Sequence, residues 1–271
     1  LIHTLACLTL FGLVRRTLLQ PALRERFGEG AVPVALSVSA LWALHPLQTE
    51  AVTYVVQRAE SLMSLFYLLT LYGFVRSVDA PTPVRWRVWS IAACLLGMGT
   101  KENMVSAPVL VLLLDRTFVS GSFAAAWRRR RRYYSELLAT WLLLGALLAS
   151  TGGNRGGSVG VGVGAVISWW DYALTQFPAL ARYVSLSLWP VPLVFDYGTF
   201  WIGSLTDVWP QACLVAALIA GTLVALWRSP AIGFLGAWFF AILAPTSLMP
   251  GTTQRIVEHR MYLPLAPVMA L

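Results

Sequence analysis

Residues able to do chemistry gather in three short polar stretches that separate long apolar runs. The first stretch is His45-Pro-Leu-Gln-Thr-Glu50, the second is Lys101-Glu102, and the third runs from Pro245 to Pro264. Carboxylates and imidazoles exchange protons with hydroxyl groups, whereas ammonium and guanidinium groups bind phosphates. The third stretch holds the densest set, which is Arg255, Glu258, His259, Arg260 and Tyr262. We interpret these stretches as candidate linings of a site.

The first stretch predicts a helix with one polar face. Pro46 ends the preceding apolar run, Thr49 is the predicted N-cap, and a helical pattern continues from Glu50 to about Arg76. Helical periodicity places a polar stripe on one side of it, made of Glu50, Tyr54, Gln57, Arg58 and Ser61. The stripe fits either a helix start in water or a polar site, because lipid does not tolerate Arg and Glu on an exposed face.

Lys101 and Glu102 have two interpretations. The pair closes a turn as a structural ion pair, or Lys101 offers an ammonium group to a phosphate and Glu102 balances its charge. The second interpretation gains weight because Lys101 is the only lysine of the chain.

The third stretch is either a solvated loop or the lining of a site. If it is helical, Arg255, Glu258, His259 and Tyr262 share one face. A fourth polar region follows residue 150. Its glycine-rich part, 151–164, lacks the ending of a phosphate-binding loop and predicts a flexible linker. Farther along, Asp196 lies between aromatic residues, which fits contact with a sugar or peptide and fits an interfacial aromatic belt equally well.

Composition places these stretches in a membrane protein. The chain has 271 residues, of which 58% are hydrophobic and 12% charged, and its mean hydropathy is +0.68. A soluble domain carries about 25% charged residues, and a disordered chain needs low hydrophobicity. The net charge of +8 fits the positive-inside bias of membrane proteins better than binding to nucleic acid.

Nine apolar segments predict an all-α polytopic bundle of about nine spans, two of them truncated by the chain ends. The segments are 1–14, 31–45, 60–76, 88–100, 103–114, 134–150, 211–227, 232–246 and 263–271. When the first span runs from outside to inside, fourteen of the twenty basic residues fall on the cytoplasmic side, as the positive-inside rule expects. This orientation puts the polar stretches on the extracytoplasmic face.

Two regions require a choice of topology. Residues 88–115 are predicted to form a hairpin with arms of about 20 Å, whose tip Lys101-Glu102 lies below the outer surface. Residues 151–210 are predicted to form one large outer loop. Within that loop, the segment 167–189 is long enough to span, but its Trp169-Trp170 pair and internal Pro178 favour a helix in the interface.

Four motifs, in this order, carry a family resemblance. They are HPLQTEAVTYVVQRAE (45–60), KE followed by an apolar run ending in Asp115, LWPVPLVFDYG (188–198) and PTSLMP…EHRMYLP (245–264). Together they resemble the membrane domain of the transmembrane and tetratricopeptide-repeat-containing O-mannosyltransferase family and its bacterial relatives, over essentially the whole chain. The resemblance implies a GT-C-like bundle.

It also implies an activity and a location. The expected activity is transfer of a sugar, mannose, from a polyprenyl-phosphate donor to a Ser or Thr hydroxyl of a protein. The expected location is the extracytoplasmic face of a bacterial inner membrane or an ER-like membrane. The family's first span and catalytic loop would lie upstream of Leu1 and its repeats beyond Leu271, so the chain is expected to be a fragment that is inactive alone.

The resemblance and the required chemistry together assign roles. Lys101, Arg260 and Arg58, in that order, are candidates to neutralise the leaving phosphate. Glu50 is the best-placed carboxylate of this chain to deprotonate the acceptor, although an acidic residue of the catalytic loop is expected to be the principal base. Supporting or acceptor-binding candidates are His45, Glu102, Asp196, Arg255, Glu258, His259 and Tyr262. A divalent metal at Glu50 and His45 stays open, since their spacing is not diagnostic.

Two other classes of function compete with the enzyme. A transporter also places charges inside the membrane, but it favours repeated halves and binding residues at the midplane. Here the polar residues lie at the outer ends of the predicted spans, and neither half resembles the other. The third interpretation is a non-catalytic membrane scaffold that presents repeat domains to partners.

Overall fold

The computed structural model describes residues 1–150, 169–198, 202–248 and 256–271, and every regular element within them is helical. Among the described residues, five helices are long and apolar enough to cross a membrane, and a sixth span results if a bent pair at residues 31–53 is counted as one. The prediction of an all-α integral membrane protein is confirmed. The predicted count of nine spans and the GT-C arrangement stay predictions. The glycine-rich stretch 151–164 and Arg255 lie outside the described residues.

Helices α1 to α8 follow one another along the chain with short connections. The first six are α1 (Ile2–Leu18), α2 (Arg24–Phe27), α3 (Ala31–Leu44), α4 (Thr49–Thr53), α5 (Arg58–Asp79) and α6 (Pro83–Thr100). The others are α7 (Ala107–Leu114), α8 (Phe123–Ser150), α9 (Trp169–Leu188), α10 (Trp209–Arg228), α11 (Pro230–Leu248) and α12 (Leu265–Met269). Tight turns lie at Pro46–Gln48, Val55–Gln57, Glu102–Ser106, Leu205–Asp207 and Glu258–Met261, and a π-helical turn at Asp115–Ser120.

Helix α5 is the central helix of the bundle, and it packs along α1 and α6. Gly73 permits the close approach to α6, because a Cβ atom there would lie 3.0 Å from Cβ of Ser90. Ser90 then donates from Oγ to the Thr70 carbonyl at 2.7 Å. Small residues at such a contact let two helix backbones approach closely, which replaces the hydrophobic driving force that is missing in lipid.

The predicted continuous helix from Glu50 to Arg76 is wrong. Helix α4 ends at Thr53, Tyr54 is extended at φ −80° and ψ 118°, and α5 begins at Arg58 after a tight turn. The β-branched residues on both sides of Tyr54 lower the stability of a helix there, and the Tyr54 ring packs edge-on against Phe195 at 5.3 Å. The polar stripe is therefore divided between two helices. The predicted N-cap is also wrong, since Gln48 precedes α4 and Thr49 is its first residue.

The predicted break at Lys101 is confirmed, but the predicted arm lengths are wrong. Lys101 is extended at φ −156° and ψ 147° between α6 and the turn Glu102–Ser106. Helix α6 has 18 residues and the segment Glu102–Ser120 has 19, so each arm is about 27 Å long. The arms are longer because α6 continues through two arginines towards Pro83 and the π-helical turn extends α7. Arm length therefore does not place Lys101 below the outer surface.

The arginine run 128–132 contains one residue that turns into the protein. Arg130 has a non-helical backbone at φ −136°, which kinks α8, and its Nη1 lies 3.0 and 2.9 Å from the two carboxylate oxygens of Asp115. Asp115 is fully buried and also accepts a hydrogen bond from the Tyr134 hydroxyl. This buried cluster joins α7 to α8, because a buried carboxylate is stable only when it is paired and hydrogen-bonded.

Candidate functional site

The turn Glu258–Met261 is the centre of the candidate site. Glu258, His259 and Arg260 are all about 95% buried, with exposed fractions of 4%, 5% and 5%. Arg255 lies outside the described residues, so the face that it would share with Glu258, His259 and Tyr262 in a helix stays a prediction. The described part, Glu258–Met261, is a 3₁₀ turn, in which successive side chains point about 120° apart. Consecutive side chains therefore reach separate partners.

His259 is held by Glu50 from α4. Glu50 Oε2 accepts a hydrogen bond from the backbone N–H of His259 at 2.9 Å, and Oε1 lies 2.7 Å from Nδ1 of its ring. A carboxylate has no proton to donate, so Nδ1 carries the hydrogen in this contact. The two bonds fix both the turn and the orientation of the imidazole.

Glu258 faces the extended segment 189–198. Its Oε1 accepts from the backbone N–H of Val194 at 2.8 Å and from the Tyr197 hydroxyl at 2.7 Å. Arg182 on α9 lies behind this pair, with Nε 3.4 Å from the Tyr197 oxygen and Nη2 2.7 Å from the Pro192 carbonyl. Burial, with the hydrogen bond to the Glu258 carboxylate, raises the pKa of the Tyr197 hydroxyl above its usual value. Tyr197 is therefore a hydrogen-bond donor to Glu258 at neutral pH.

A cleft of about 260 Å³ lies between α4 and the extended segment. Two carboxylates, Glu50 and Glu258, reach it, and the aromatic pair Tyr54 and Phe195 lines it as well. The other lining residues are Pro46, Thr49, Thr53, Leu193 and Val194. Acidic and aromatic side chains in one cleft suit a ligand that carries hydroxyl groups, since the carboxylates accept hydrogen bonds from it and the rings cover its apolar faces.

Lys101 pairs with Glu60, the third residue of α5, rather than with Glu102. The Lys101 ammonium contacts Oε2 of Glu60, whose side chain is fully buried, while Lys101 itself keeps 20% of its side chain exposed. The expectation that Glu102 balances Lys101 or closes a turn with it is therefore wrong. The partner lies on a neighbouring helix, where local sequence gives no indication of it.

Arg260 is a second cation in the region of this carboxylate. It is hydrogen-bonded to Tyr172, and it lies within electrostatic reach of Tyr183 and Glu60. Tyr172 donates in turn to the Thr246 carbonyl at 2.6 Å, and Tyr183 is bonded to the backbone of Val257 at 3.0 Å. Tyr172 therefore positions the Arg260 side chain, and Tyr183 positions the backbone at Val257, where the turn begins. We call Lys101, Glu60 and Arg260 the charge cluster.

Several buried polar atoms around this cluster have no hydrogen-bond partner within the described part of the chain. They are Oε1 of Glu60, Oγ of Ser64, Nη1 of Arg260 and both amide atoms of Gln176. Gln176 lies one turn after Tyr172 on the buried face of α9 that also carries Tyr183. Unpaired buried polar groups are costly, so these atoms require partners beyond those that the described residues provide.

The remaining predicted residues have other positions. His45 accepts at Nδ1 from the backbone N–H of Leu47 at 3.2 Å and begins the turn before α4. Asp196 is exposed and accepts from the N–H of Gly198 at 2.9 Å, which shapes a turn. Arg58 is exposed at the start of α5, and Glu102 is half-buried. Within the described residues, none of these four side chains forms a hydrogen bond or ion pair with the charge cluster.

Tyr262 is a packing residue inside the bundle. It is fully buried, its ring packs edge-on against Trp42, and Trp42 Nε1 donates to its carbonyl at 2.7 Å. Its hydroxyl lies 2.7 Å from Nδ1 of His3, whose Nε2 donates to the Ala43 carbonyl at 3.0 Å. Tyr262 thus anchors the end of the turn Glu258–Met261 to α1 and α3.

A metal centre finds no support in the described residues. Within the parts of the chain that the structure describes, no three His, Cys, Asp or Glu side chains lie close enough together to hold an ion. Glu50 is engaged with His259, and His45 with its own turn, so they do not form a described pair.

The sequence is similar to those of several known protein O-mannosyl-transferases. Protein O-mannosyl-transferase Tmtc1 of Drosophila melanogaster is 26% identical over 248 residues, which cover 84% of this chain and 27% of that protein. Tmtc2 of the same organism is 27% identical over 202 residues, 70% of this chain and 21% of that protein. Human TMTC3 is 39% identical over 62 residues, 23% of this chain and 7% of that protein.

The predicted resemblance to the O-mannosyltransferase family is confirmed. No family model matches the chain, and no solved structure gives a significant match. The chain spans about a quarter of the length of the O-mannosyltransferases that it matches over most of its residues.

Proposed function

We propose that this chain is the membrane part of a glycosyltransferase that moves mannose from a polyprenyl phosphate to a Ser or Thr hydroxyl of a protein. The observation that carries the proposal is the turn Glu258–Met261. It joins an acidic cleft, reached by Glu258 and Glu50, to a buried cluster of cations, reached by Arg260. The resemblance to O-mannosyltransferases favours this function over a transporter or a scaffold.

The charge cluster is the donor half of the proposed site. When the sugar leaves its lipid phosphate, the anomeric C–O bond breaks and the phosphate oxygen keeps the electron pair. Lys101 and Nη1 of Arg260, which has no partner among the described residues, are the donors that stabilise this developing charge. Arg58 is the third candidate, and its exposed position suits an outer contact with the phosphate.

The acidic cleft is the acceptor half. The acceptor oxygen forms the new bond to the anomeric carbon, and its proton must pass to a base. Glu50 lines the cleft and is the base that we propose, with His259 bonded to it to disperse the charge. Glu258 and Tyr197 then bind other hydroxyl or amide groups of the acceptor.

The proposed orientation puts both halves on the extracytoplasmic side. It rests on the arginine-rich segments, which fall at the opposite ends of the helices from the turn Glu258–Met261 in the predicted topology. The same orientation gives the lipid donor access from the outer leaflet.

Binding of the donor tests the function. We expect this chain, reconstituted in nanodiscs of phosphatidylcholine, to bind polyprenyl-phosphate mannose saturably. Empty nanodiscs are the control for partition of the lipid. Binding no greater than that of empty nanodiscs would contradict the proposal.

A further inference from the structure

Glu60 is an anion inside the proposed phosphate site, where its negative charge opposes the binding of a phosphate. It is fully buried, it pairs with Lys101 through Oε2, and its Oε1 has no partner in the described residues. Arg260, whose side chain is buried as well, lies within electrostatic reach of this carboxylate. A carboxylate close to the cations that bind a phosphate reduces their attraction for that phosphate, and the low dielectric of a buried site strengthens this effect.

The charges in the cluster amount to a net +1. Lys101 and Arg260 contribute two positive charges and Glu60 removes one. A lipid-phosphate-sugar is a phosphodiester and carries a single negative charge. The lipid phosphate left after transfer is a phosphomonoester, whose charge is about −1.5 to −2 at neutral pH.

We propose that Glu60 sets the charge of the phosphate site so that it accepts a singly charged phosphodiester donor and discriminates against the more highly charged phosphomonoester product. This inference rests on the proposed function and adds to it a specificity residue outside the predicted set. Transfer breaks the bond between sugar and phosphate oxygen, so the product has an extra ionisable oxygen. Glu60 repels that added charge and thereby favours release of the product.

The physical signature is a ratio of two affinities. Coulomb energy scales with ligand charge, so removing the Glu60 charge favours the phosphomonoester more than the phosphodiester. We expect Glu60→Gln to raise the affinity for polyprenyl phosphate, relative to polyprenyl-phosphate mannose, by about 10-fold, the factor that corresponds to about 1.4 kcal/mol.

The experiment measures the Kd of both lipids for this chain in phosphatidylcholine nanodiscs. Glu60→Asp retains the charge and should keep the wild-type ratio, and Glu136→Gln makes the same substitution at a half-exposed position on α8. Thermal unfolding of each variant confirms that it is folded. If Glu60→Gln alone does not fold, a double variant, Glu60→Gln with Lys101→Met, removes both members of the ion pair. Its ratio of affinities is then compared with that of the single variant Lys101→Met.

Three results would overturn the inference. A ratio that stays within twofold of wild type in Glu60→Gln removes the charge argument. If Glu60→Asp changes the ratio of affinities as much as Glu60→Gln does, the effect comes from packing. If Glu136→Gln changes it as much, the effect comes from the net charge of the protein. Failure of the wild-type chain to bind either lipid is the separate result that removes the proposed function, and this inference with it.

Discussion

Glu50 holds His259 by two hydrogen bonds, one to its backbone and one to its ring, across 209 positions of sequence. The two contacts measure 2.9 Å and 2.7 Å. Because the residues on either side of His259 are Glu258 and Arg260, this one carboxylate positions the acidic cleft and the charge cluster relative to each other. Glu50 is thus a structural link as well as the proposed base.

Glu50→Gln should loosen the turn Glu258–Met261. The amide keeps one acceptor oxygen but places an NH₂ group against one of two donors, at a cost of about 1–3 kcal/mol. Hydrogen–deuterium exchange should become faster for residues 256–262. Glu136→Gln is the control, and equal exchange in the two variants would show that Glu50 does not hold the turn.

Asp115→Asn should destabilise the protein by about 3–5 kcal/mol, because it leaves Arg130 buried without its counter-charge. Unfolding in detergent, followed by circular dichroism, measures the loss. Adding Arg130→Met should recover much of it, since no unpaired charge then remains.

The exposed pair Arg132–Glu136 supplies the comparison for Asp115. Its side chains are 93% and 45% exposed, and Arg132→Met should leave the unfolding transition almost unchanged. If Asp115→Asn has an equally small effect, the kinked cluster contributes nothing to stability.

Gly233→Ala should destabilise the contact between α10 and α11. A Cβ atom at Gly233 would overlap the backbone of Leu226, which has no flexible atom to move away. Gly145, inside the C-terminal part of α8, is the matched position, because a Cβ atom there meets nothing within 4 Å. Gly145→Ala should be neutral or stabilising by up to about 1 kcal/mol, and a lower melting temperature for both variants would contradict this packing.

Cysteine labelling should place Ser122 and Ser204 on opposite sides of the membrane. Both residues are exposed. Ser122 lies shortly before the arginine run 128–132, and Ser204 lies in the predicted outer loop. In a background lacking the exposed Cys213, a membrane-impermeant maleimide should label Ser204→Cys from outside and Ser122→Cys only after the membrane is opened. The reverse pattern would invert the proposed orientation.

The helices were predictable where apolar periodicity alone decides them. Helices α5, α10 and α11 begin and end within about three residues of the predicted segments, since length and hydropathy are enough to define a candidate membrane span. The break at Tyr54 was not predictable by the same means. It depends on a ring contact with Phe195, 141 positions away in sequence.

The sequence predicts which residues belong to the candidate site better than it predicts which of them contact each other. Lys101, Arg260, Glu50 and His259 stand out because charges are rare in such a chain, but their partners come from other helices. Glu60 was missed as a partner, although an acid followed by Ser61 and Ser64 within an apolar helix was a usable signal. His3 and Tyr183 had no such signal, because their roles appear only when α1 and α9 pack against the last turn.

The central claim is that Lys101 and Arg260 together bind the phosphate of a lipid-linked sugar. The most direct measurement is the Kd of polyprenyl-phosphate mannose for wild type, Lys101→Ala and Arg260→Ala in phosphatidylcholine nanodiscs, with the exposed Arg129→Ala as the control. We predict that each of the first two variants weakens binding at least about 10-fold while remaining folded, because each loses a charged hydrogen bond to phosphate. Wild-type affinity in both, or an equal loss in Arg129→Ala, would contradict the claim.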